Sequence, residues 1–582
     1  MISQLSWKVG GQQGEGIEST GEIFSTTLNR MGYHLYSYRH FTSRIKGGHT
    51  NNNIRISTKE VRSISDHINI LVAFDQETID VNADELVSDG VILADQKFKP
   101  VKPEGVEAAL IEIPFTEIAQ KHGSKLMKNM VAVGASARLM HLKTKDFEEM
   151  IYRLFIRKGQ EIVDSNVAAL LEGYQFVQNE AAFIEGDFEL QKSEKREQLY
   201  LIGNDAIGFG ALNAGVRFMA AYPITPASDI MEYMIHHLPS VDGTVIQTED
   251  EIAAVTMAIG SNYAGARSFT SSSGPGLSLM MESIGLSGMT ETPLVIVDAM
   301  RGGPSTGLPT KQEQSDLMQM IYGTHGDIPK IILSPVDVED AFYLTLKAFN
   351  LADQYQLPVI LLSDLQMSLG KQTSPLFDLE KVSTDRGKLI KEDISEENEE
   401  YFERYKVTED GISNRPIPGV KGGIHHVTGV EHNPTGTPNE ASVNRKAQMD
   451  KRMKKVKDFS LETPFVVKGE RESDLLIISF LSVNGAVDEA VERFNKNITV
   501  VHMRQLFPVP IEALRPYLDG AKKIGVIEQN YTGQLFNILK MNYGGHDKME
   551  SFVKYDGTPF KPVEIETYIK DVFKRDELNG NI

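Results

Sequence analysis

Short apolar runs alternate with amphipathic stretches along most of the 582-residue chain. Residues 5–9 predict a strand, and the Gly-Gly-Gln-Gln-Gly-Glu-Gly run at 10–16 a tight turn before a helix reaching about Asn29. Further strands are expected near 33–39 and at 68–73, 91–94 and 108–113, so residues 1–190 read as one α/β domain. The polar stretch 191–198 reads as a linker. Strands at 199–202, 243–247, 267–271, 293–298, 330–333 and 358–362 then alternate with helices at 206–219, 227–236, from 249, from about 276, at 312–321 and at 337–355. That rhythm predicts a parallel sheet with helices on both faces over 199–375. Residues 376–465 lose the periodicity, as a functional arm or a linker does. Their acidic run 392–403 and basic run 446–457 could pair, but a solvated surface is the simpler expectation. Alternation returns over 466–582, with strands at 475–480, 498–502 and 523–527 and helices at 485–494 and 511–518, giving a third, smaller α/β domain.

The charge balance narrows the partners. A formal net charge of −20 argues against nucleic acid and anionic membrane surfaces. Small anions stay open, because local cations and helix N-termini decide those. The chain has no cysteine, which removes disulfides, thiol catalysis and cysteine-ligated clusters from it. It shows neither a basic leader followed by an apolar run nor about 18 consecutive apolar residues, and a cytoplasmic location is expected.

Candidate chemistry gathers at predicted strand ends, where open α/β sheets bind ligands. The turn at 10–16 is either a phosphate cradle or a close helix–sheet approach. Its glycine order and the following Arg39 and His40 disfavour a dinucleotide. Arg44 and Lys46 form a basic loop that could hold an anion. His425, His426 and His432 lack ligand spacing, so no metal site is expected on this chain. In Tyr222-Pro223-Ile224-Thr225-Pro226 two prolines stiffen the backbone around the Thr225 hydroxyl. Thr248-x-x-Glu251 is a capping box, or Glu251 is a buried carboxyl facing a heterocycle nitrogen. The Ser-Ser-Ser-Gly-Pro-Gly run at 271–276 is a hydroxyl-rich ligand loop, or a helix start capped by Ser273. Arg301, before Gly302-Gly303-Pro304 and with Ser305, Thr306 and Thr310 behind it, is a surface arginine or a fork for a carboxylate.

In this order and spacing the four landmarks resemble the 2-oxoacid:ferredoxin oxidoreductases, more narrowly the fused gamma-alpha form of the alpha subunit of the 2-oxoglutarate (KorA-like) type. The resemblance covers nearly the whole chain. The 10–16 turn and 44–48 loop match the gamma domain, 199–362 the pyrimidine-binding domain, and 405–457, with Asp410-Gly411-Ile412-Ser413, the connecting arm. The tail, with 528–535, matches a transketolase C-terminal-like domain. Gln13 departs from the small residue common there. The resemblance implies three α/β domains, the central one a parallel-sheet thiamine-diphosphate (pyrimidine-binding) fold. The implied reaction is oxidative decarboxylation of 2-oxoglutarate with coenzyme A to succinyl-CoA, carbon dioxide and reduced ferredoxin. By the same resemblance Glu251 is catalytic and bonds the aminopyrimidine, with Ser272, Ser273 and Gly274 beside the cofactor. Tyr222, Thr225, Arg301 and Thr310 take the substrate. Arg44, Lys46 and Lys311 are candidates for its distal carboxylate, which a beta-chain residue could equally hold. The chain has no cysteine and no Gly-Asp-Gly with a distant Asn, so Mg²⁺, the diphosphate site and a [4Fe–4S] cluster are expected on a beta subunit, in an αβ or α2β2 assembly. Alternatives are a pyruvate or branched-chain enzyme, or a non-catalytic nucleotide-binding scaffold using the 10–16 turn.

Overall fold

A computed structural model describes residues 1–42, 48–180, 188–394, 401–544 and 547–578. The chain divides into two compact units, one of residues 1–201, 370–376 and 560–582, the other of 202–369 and 377–559.

In the first unit, strands β1 (Gln4–Gln12), β2 (His34–His40), β3 (His49–Ser57), β4 (Ile68–Ala73), β5 (Leu86–Asp95), β6 (Ala109–Ile113) and β7 (Leu199–Ile202) join the strand Lys371–Ser374 in one sheet. The order is β6-β5-β4-β1-β3-β2, then Lys371–Ser374, then β7. β1, β4, β5 and β6 run parallel, while β3 is antiparallel to both β1 and β2. The hydropathy pattern predicts no strand at β3, because three consecutive asparagines carry low strand propensity. Central placement overrides that preference: β3 pairs with β1 along its full length and all nine of its residues are buried. Trp7 anchors the core, its ring stacked on Phe24 at 4.4 Å and its Nε1 donating to Ser136 Oγ at 2.9 Å. The helices Lys128–Leu139 and Gln160–Glu180 touch backbone to backbone. A Cβ on Gly134 would lie 2.0 Å from the Leu170 carbonyl oxygen, and one on Gly173 2.3 Å from that of Val131.

In the second unit, β8 (Phe218–Ala221), β9 (Thr244–Gln247), β10 (Ser268–Ser272), β11 (Leu294–Met300), β12 (Ile331–Leu333) and β13 (Pro358–Asp364) form a sheet in the order β12-β13-β11-β10-β8-β9. Every neighbouring pair among these six is parallel, and Gln505–Phe507 closes the β12 edge antiparallel. The sequence pattern runs a helix through 219. The helix instead spans Gly203–Asn213, and Gly215, at φ 83°, turns the chain into β8. A second sheet holds Phe465–Lys468, Ser473–Ser479, Ile498–Met503, Ala521–Glu528 and Met549–Val553. One apolar cluster serves both sheets, with Ile296, Ile332, Leu476, Ile478, Leu506 and Val526 among its members.

The basic run is solvated only in part, with Lys446, Lys454 and Lys457 exposed. It forms the helix Ser442–Lys457, in which Lys451, Arg452 and Lys455 are buried. Lys451 and Lys455 reach Glu291 at 2.6 and 2.5 Å, and Arg452 reaches Glu431 at 2.6 Å. Burial alone would raise the Glu291 pKa. Lys455, Lys451 and Arg404 outweigh it and hold the carboxyl well below the usual range. Asp353 is likewise buried among Arg267, Arg386 and Arg415, at 2.7, 2.8 and 2.7 Å. The arm is thus fixed by cations paired with Glu291 at a helix C-terminus, with Asp353 on the helix Val338–Tyr355 and with Glu431 of the arm itself. Among the described residues no helix is long and apolar enough to cross a membrane.

Candidate functional site

β8, β9, β10 and β11 are parallel neighbours, so their C-terminal ends open on one edge of the sheet. The predicted landmarks at 222–226, 248–251, 271–276 and 301–310 leave those ends. Asn204 Nδ2 fixes the first of them by donating to the Pro226 carbonyl at 2.7 Å, and the Thr225–Pro226 peptide is cis.

The helix Glu251–Tyr263 resolves the two readings of its first turn. Its cap is Asp250, whose carboxylate accepts from Ala253 N at 2.7 Å, while the Thr248 hydroxyl donates to the Asp250 carbonyl at 2.9 Å. The Thr248–Glu251 capping box is therefore not formed. Glu251 is buried, 6% exposed, and its side chain forms no hydrogen bond or ion pair with any described residue. Room beside it depends on Gly276, where a Cβ would lie 2.1 Å from Ser272 Oγ and 2.6 Å from Glu251 Oε1. Ser273 occupies the cap position of the helix Gly274–Thr290, yet its side chain makes no capping bond and its buried Oγ has no partner.

Arg301 is 7% exposed. Nη1 donates to the Thr225 carbonyl at 2.8 Å and Nη2 to the Thr306 carbonyl at 3.2 Å, while Nε has no partner. Burial lowers its pKa and Asp316 opposes that. Arg301, Gly274, Ser305, Asp316, Gln319 and Asn530 help line a 410 Å³ cavity. Thr310 is buried in the turn behind Arg301, and Tyr222 is 39% exposed. Neither they nor Thr225 line this cavity.

The segment 312–316, read from sequence as helical, is a loop, and its helix begins only at Leu317. Its glutamines are occupied elsewhere. Gln314 Nε2 donates to Asp364 Oδ2 at 2.9 Å and Gln314 Oε1 accepts from Gln529 N at 3.0 Å. On the tail, the buried Glu528 carboxylate accepts from Asn530 Nδ2 and from the Leu535 and Phe536 amides at 2.6, 2.9 and 3.0 Å. Burial pushes its pKa up, and those donors pull against it.

Sequence reasoning missed two acids here. Asp316 is buried beside Gly274, where a Cβ would meet both its carboxyl oxygens at 2.9 Å. Burial, then Glu313, raises its pKa to about 7, against the Gly274 amide and Arg301. Asp298, on β11 opposite Ser272, is fully buried with neither oxygen bonded, and burial followed by Asp316 raises its pKa well above the usual value. The signal was available, as Asp298 interrupts the apolar strand Leu-Val-Ile-Val-Asp-Ala-Met.

In the first unit the 10–16 turn is tight, with Gly14 and Gly16 at φ 95° and 82° and Glu15 paired to Lys128 at 2.6 Å. His49, Asp75 and Glu77 bring ligand atoms within 4.8 Å of one another. Glu77 is exposed and Asp75 Oδ1 is already held by Thr78 N and Oγ1. Arg44 and Lys46 lie outside the described residues.

The model for pyruvate flavodoxin/ferredoxin oxidoreductase, thiamine diphosphate-binding, matches residues 209–452, and that for pyruvate ferredoxin/flavodoxin oxidoreductase matches 6–176. A 2-oxoacid:ferredoxin oxidoreductase subunit alpha from Sulfolobus sp. is 36% identical over 100% of this chain and 99% of its own. The chain belongs to the 2-oxoacid:ferredoxin oxidoreductase alpha subunits. Another member of this family, the 2-oxoglutarate oxidoreductase subunit KorA of Mycobacterium tuberculosis, is 30% identical over 96% of this chain and 90% of its own. A 2-oxoglutarate:ferredoxin oxidoreductase from Magnetococcus marinus, solved with 2-oxoglutarate, coenzyme A and succinyl-CoA bound, superposes with a TM-score of 0.91. It is 34% identical and covers 98% of this chain and 100% of that one.

Proposed function

We propose that this alpha subunit, with a beta subunit, oxidatively decarboxylates 2-oxoglutarate with coenzyme A, giving succinyl-CoA, carbon dioxide and reduced ferredoxin. The observation that carries the reading is the pairing, on one sheet edge, of an unbonded buried carboxyl at Glu251 with the Arg301 fork. The Magnetococcus marinus relative, with 2-oxoglutarate and coenzyme A bound, supports this choice of substrates.

The residues present fit an aminopyrimidine ring. Glu251 is a buried acid with nothing to bond, Gly276 keeps the space beside it open, and the Ser273 hydroxyl is buried and unpartnered. A buried hydroxyl without a partner costs stability unless a ligand completes it. Glu251 would hold the ring nitrogen, with Ser272, Ser273 and Gly274 against the ring. When bound, thiamine diphosphate supplies a nucleophilic carbon and a sink for the electrons left by decarboxylation. Glu251 would share a proton with the ring nitrogen. Arg301 would offer its unpartnered Nε–H toward a substrate carboxylate, while one donor on each Nη holds the Thr225 and Thr306 carbonyls. Thr225 and Tyr222 form the lip, and Thr310 backs the arginine.

Mg²⁺, the diphosphate site and the [4Fe–4S] cluster belong, in this reading, to the beta subunit, since cluster ligation uses thiolates and this chain has none. Residues 1–190 act as the gamma-like domain, 199–375 as the pyrimidine-binding domain, 376–465 as the arm and 466–582 as the transketolase-like tail. Ferredoxin is the acceptor. The test is purification with the beta chain, followed by 2-oxoacid- and coenzyme-A-dependent dye reduction over a panel of substrates. Preference for 2-oxoglutarate over pyruvate is expected, and no 2-oxoacid-dependent reduction would sink the reading.

A further inference from the structure

Arg301 and Asp316 line the same cavity, yet no ion pair joins them. The arginine is turned to two carbonyls, and the acid has one oxygen, Oδ2, buried without a partner. Behind Asp316 lies Asp298, fully enclosed, with neither oxygen bonded. Two carboxylates in so dry a place cannot both be ionised at tolerable cost, so the pair carries a proton near neutral pH. The groups facing Asp316 are Glu313 on its own loop, Arg301 at the end of β11, Asp298 on β11 and the Gly274 amide at a helix start. The tail presents neutral Asn530, Tyr531 and Gln534 to the cavity, its Glu528 being bonded to backbone amides and Asn530. Glu251 stands farther along, at Gly276.

This arrangement couples two charges. An ionised Asp316 competes for the field of Arg301 and repels an incoming anion, whereas a neutral Asp316 leaves the guanidinium to the substrate. We infer that Asp316, backed by Asp298, is a positioning residue through which binding of a 2-oxoacid carboxylate at Arg301 takes up one proton. The inference rests on the proposed reading of Arg301 as the substrate's anchor. The proton enters from solvent onto Asp316 as the anion binds, and returns when the site loses its negative charge. Glu313, whose pKa burial also raises, strengthens the bias toward the neutral form.

The experiment uses the complex of this chain with its beta subunit and 2-oxoglutarate as probe. Calorimetric titration in two buffers of different ionisation enthalpy, at pH 7.5–8 (roughly the range where about half a proton or more moves), should read proton uptake on binding. The KM should rise with pH through neutrality, approaching about tenfold per pH unit on the alkaline side. In Asp316→Asn, whose amide mimics the neutral acid, the KM should become flat with pH and lie near the wild-type value at low pH. Asp298→Asn keeps a neutral group behind Asp316, so the transition should stay near its wild-type pH. A merely structural Asp316 would instead raise the KM equally at every pH. Absence of proton uptake in the wild-type complex, or an unchanged KM–pH slope in folded Asp316→Asn, would overturn the inference. Absence of any 2-oxoacid turnover would strike the underlying function instead, so the two failures are told apart.

Discussion

Arg301 Nη1 donates to the Thr225 carbonyl at 2.8 Å, so the arginine at the end of one strand holds the turn leaving another. Lysine keeps the charge but has all its donors on one nitrogen, so it lacks the planar fork that spans the Thr225 carbonyl and a carboxylate together. Arg301→Lys should therefore lower kcat/KM for 2-oxoglutarate about ten- to a hundredfold, the roughly 1.5–3 kcal/mol of a charged hydrogen bond. Steady-state kinetics of the αβ complex check it. An unchanged kcat/KM would place the arginine outside the site.

Glu251 and Gly276 should fail in different ways. Glu251→Gln keeps the shape of the side chain and loses its acid–base capacity, so turnover should fall by at least about a hundredfold while Tm holds. In Gly276→Ala the added Cβ meets Ser272 Oγ and Glu251 Oε1, both movable side-chain atoms, so the fold should survive. What suffers is the position of the carboxyl. Thiamine diphosphate affinity of the complex, read by titration of the cofactor-free protein, should weaken at least tenfold. Full activity in Glu251→Gln would leave that residue without a role in the chemistry.

Glu291→Gln tests what fixes the arm. The amide leaves Lys451 and Lys455 buried without a counter-charge, a cost of about 3–5 kcal/mol. Limited proteolysis within 401–457 and the unfolding midpoint should both report the loss. The residues explain why this network was illegible in sequence. Glu291 lies about 160 positions from its lysine partners, and a run of lysines reads as a wet surface until a distant acid is brought under it. By contrast, the 222–226, 271–276 and 301–310 landmarks were legible because proline, glycine and hydroxyl residues mark strand ends locally. β3 was hidden for the opposite reason, its asparagines being strand residues only through burial between two neighbours. Asp298 could have been found, since an acid within an apolar strand needs explaining.

Gly134 marks a close approach in the first unit. Its missing Cβ lets the helix Lys128–Leu139 rest on the backbone at Leu170, where a Cβ would lie 2.0 Å from the carbonyl oxygen. Gly134→Ala meets a carbonyl rather than a flexible side chain, so the helices must separate. Loss of about 1–3 kcal/mol is expected, measured by denaturant unfolding of the full chain. Alanine at Gly14, which has nothing within 4 Å, meets no such neighbour and suffers only from its positive φ.

Lys330 supplies a pH-dependent prediction with a definite sign. It is buried, and its Nζ donates to the Met320 carbonyl at 3.1 Å and to Thr324 Oγ1 at 3.0 Å. Burial lowers its pKa from 10.5 to about 8. Between those values the unfolded chain holds a proton that the native chain has released, so stability rises with pH across the window. Below pH of about 8 the native state carries the whole penalty, roughly 3 kcal/mol at 1.36 kcal/mol per unit. Lys330→Met removes the charge and keeps the volume, but leaves the Met320 carbonyl without its donor, which returns about 1–2 kcal/mol of the gain. The variant should therefore be more stable than wild type at pH 7 and lose that advantage as pH climbs toward 10.5. Paired unfolding curves at several pH values decide it. A stability difference that does not change with pH would mean that Lys330 keeps its ordinary pKa in the folded chain.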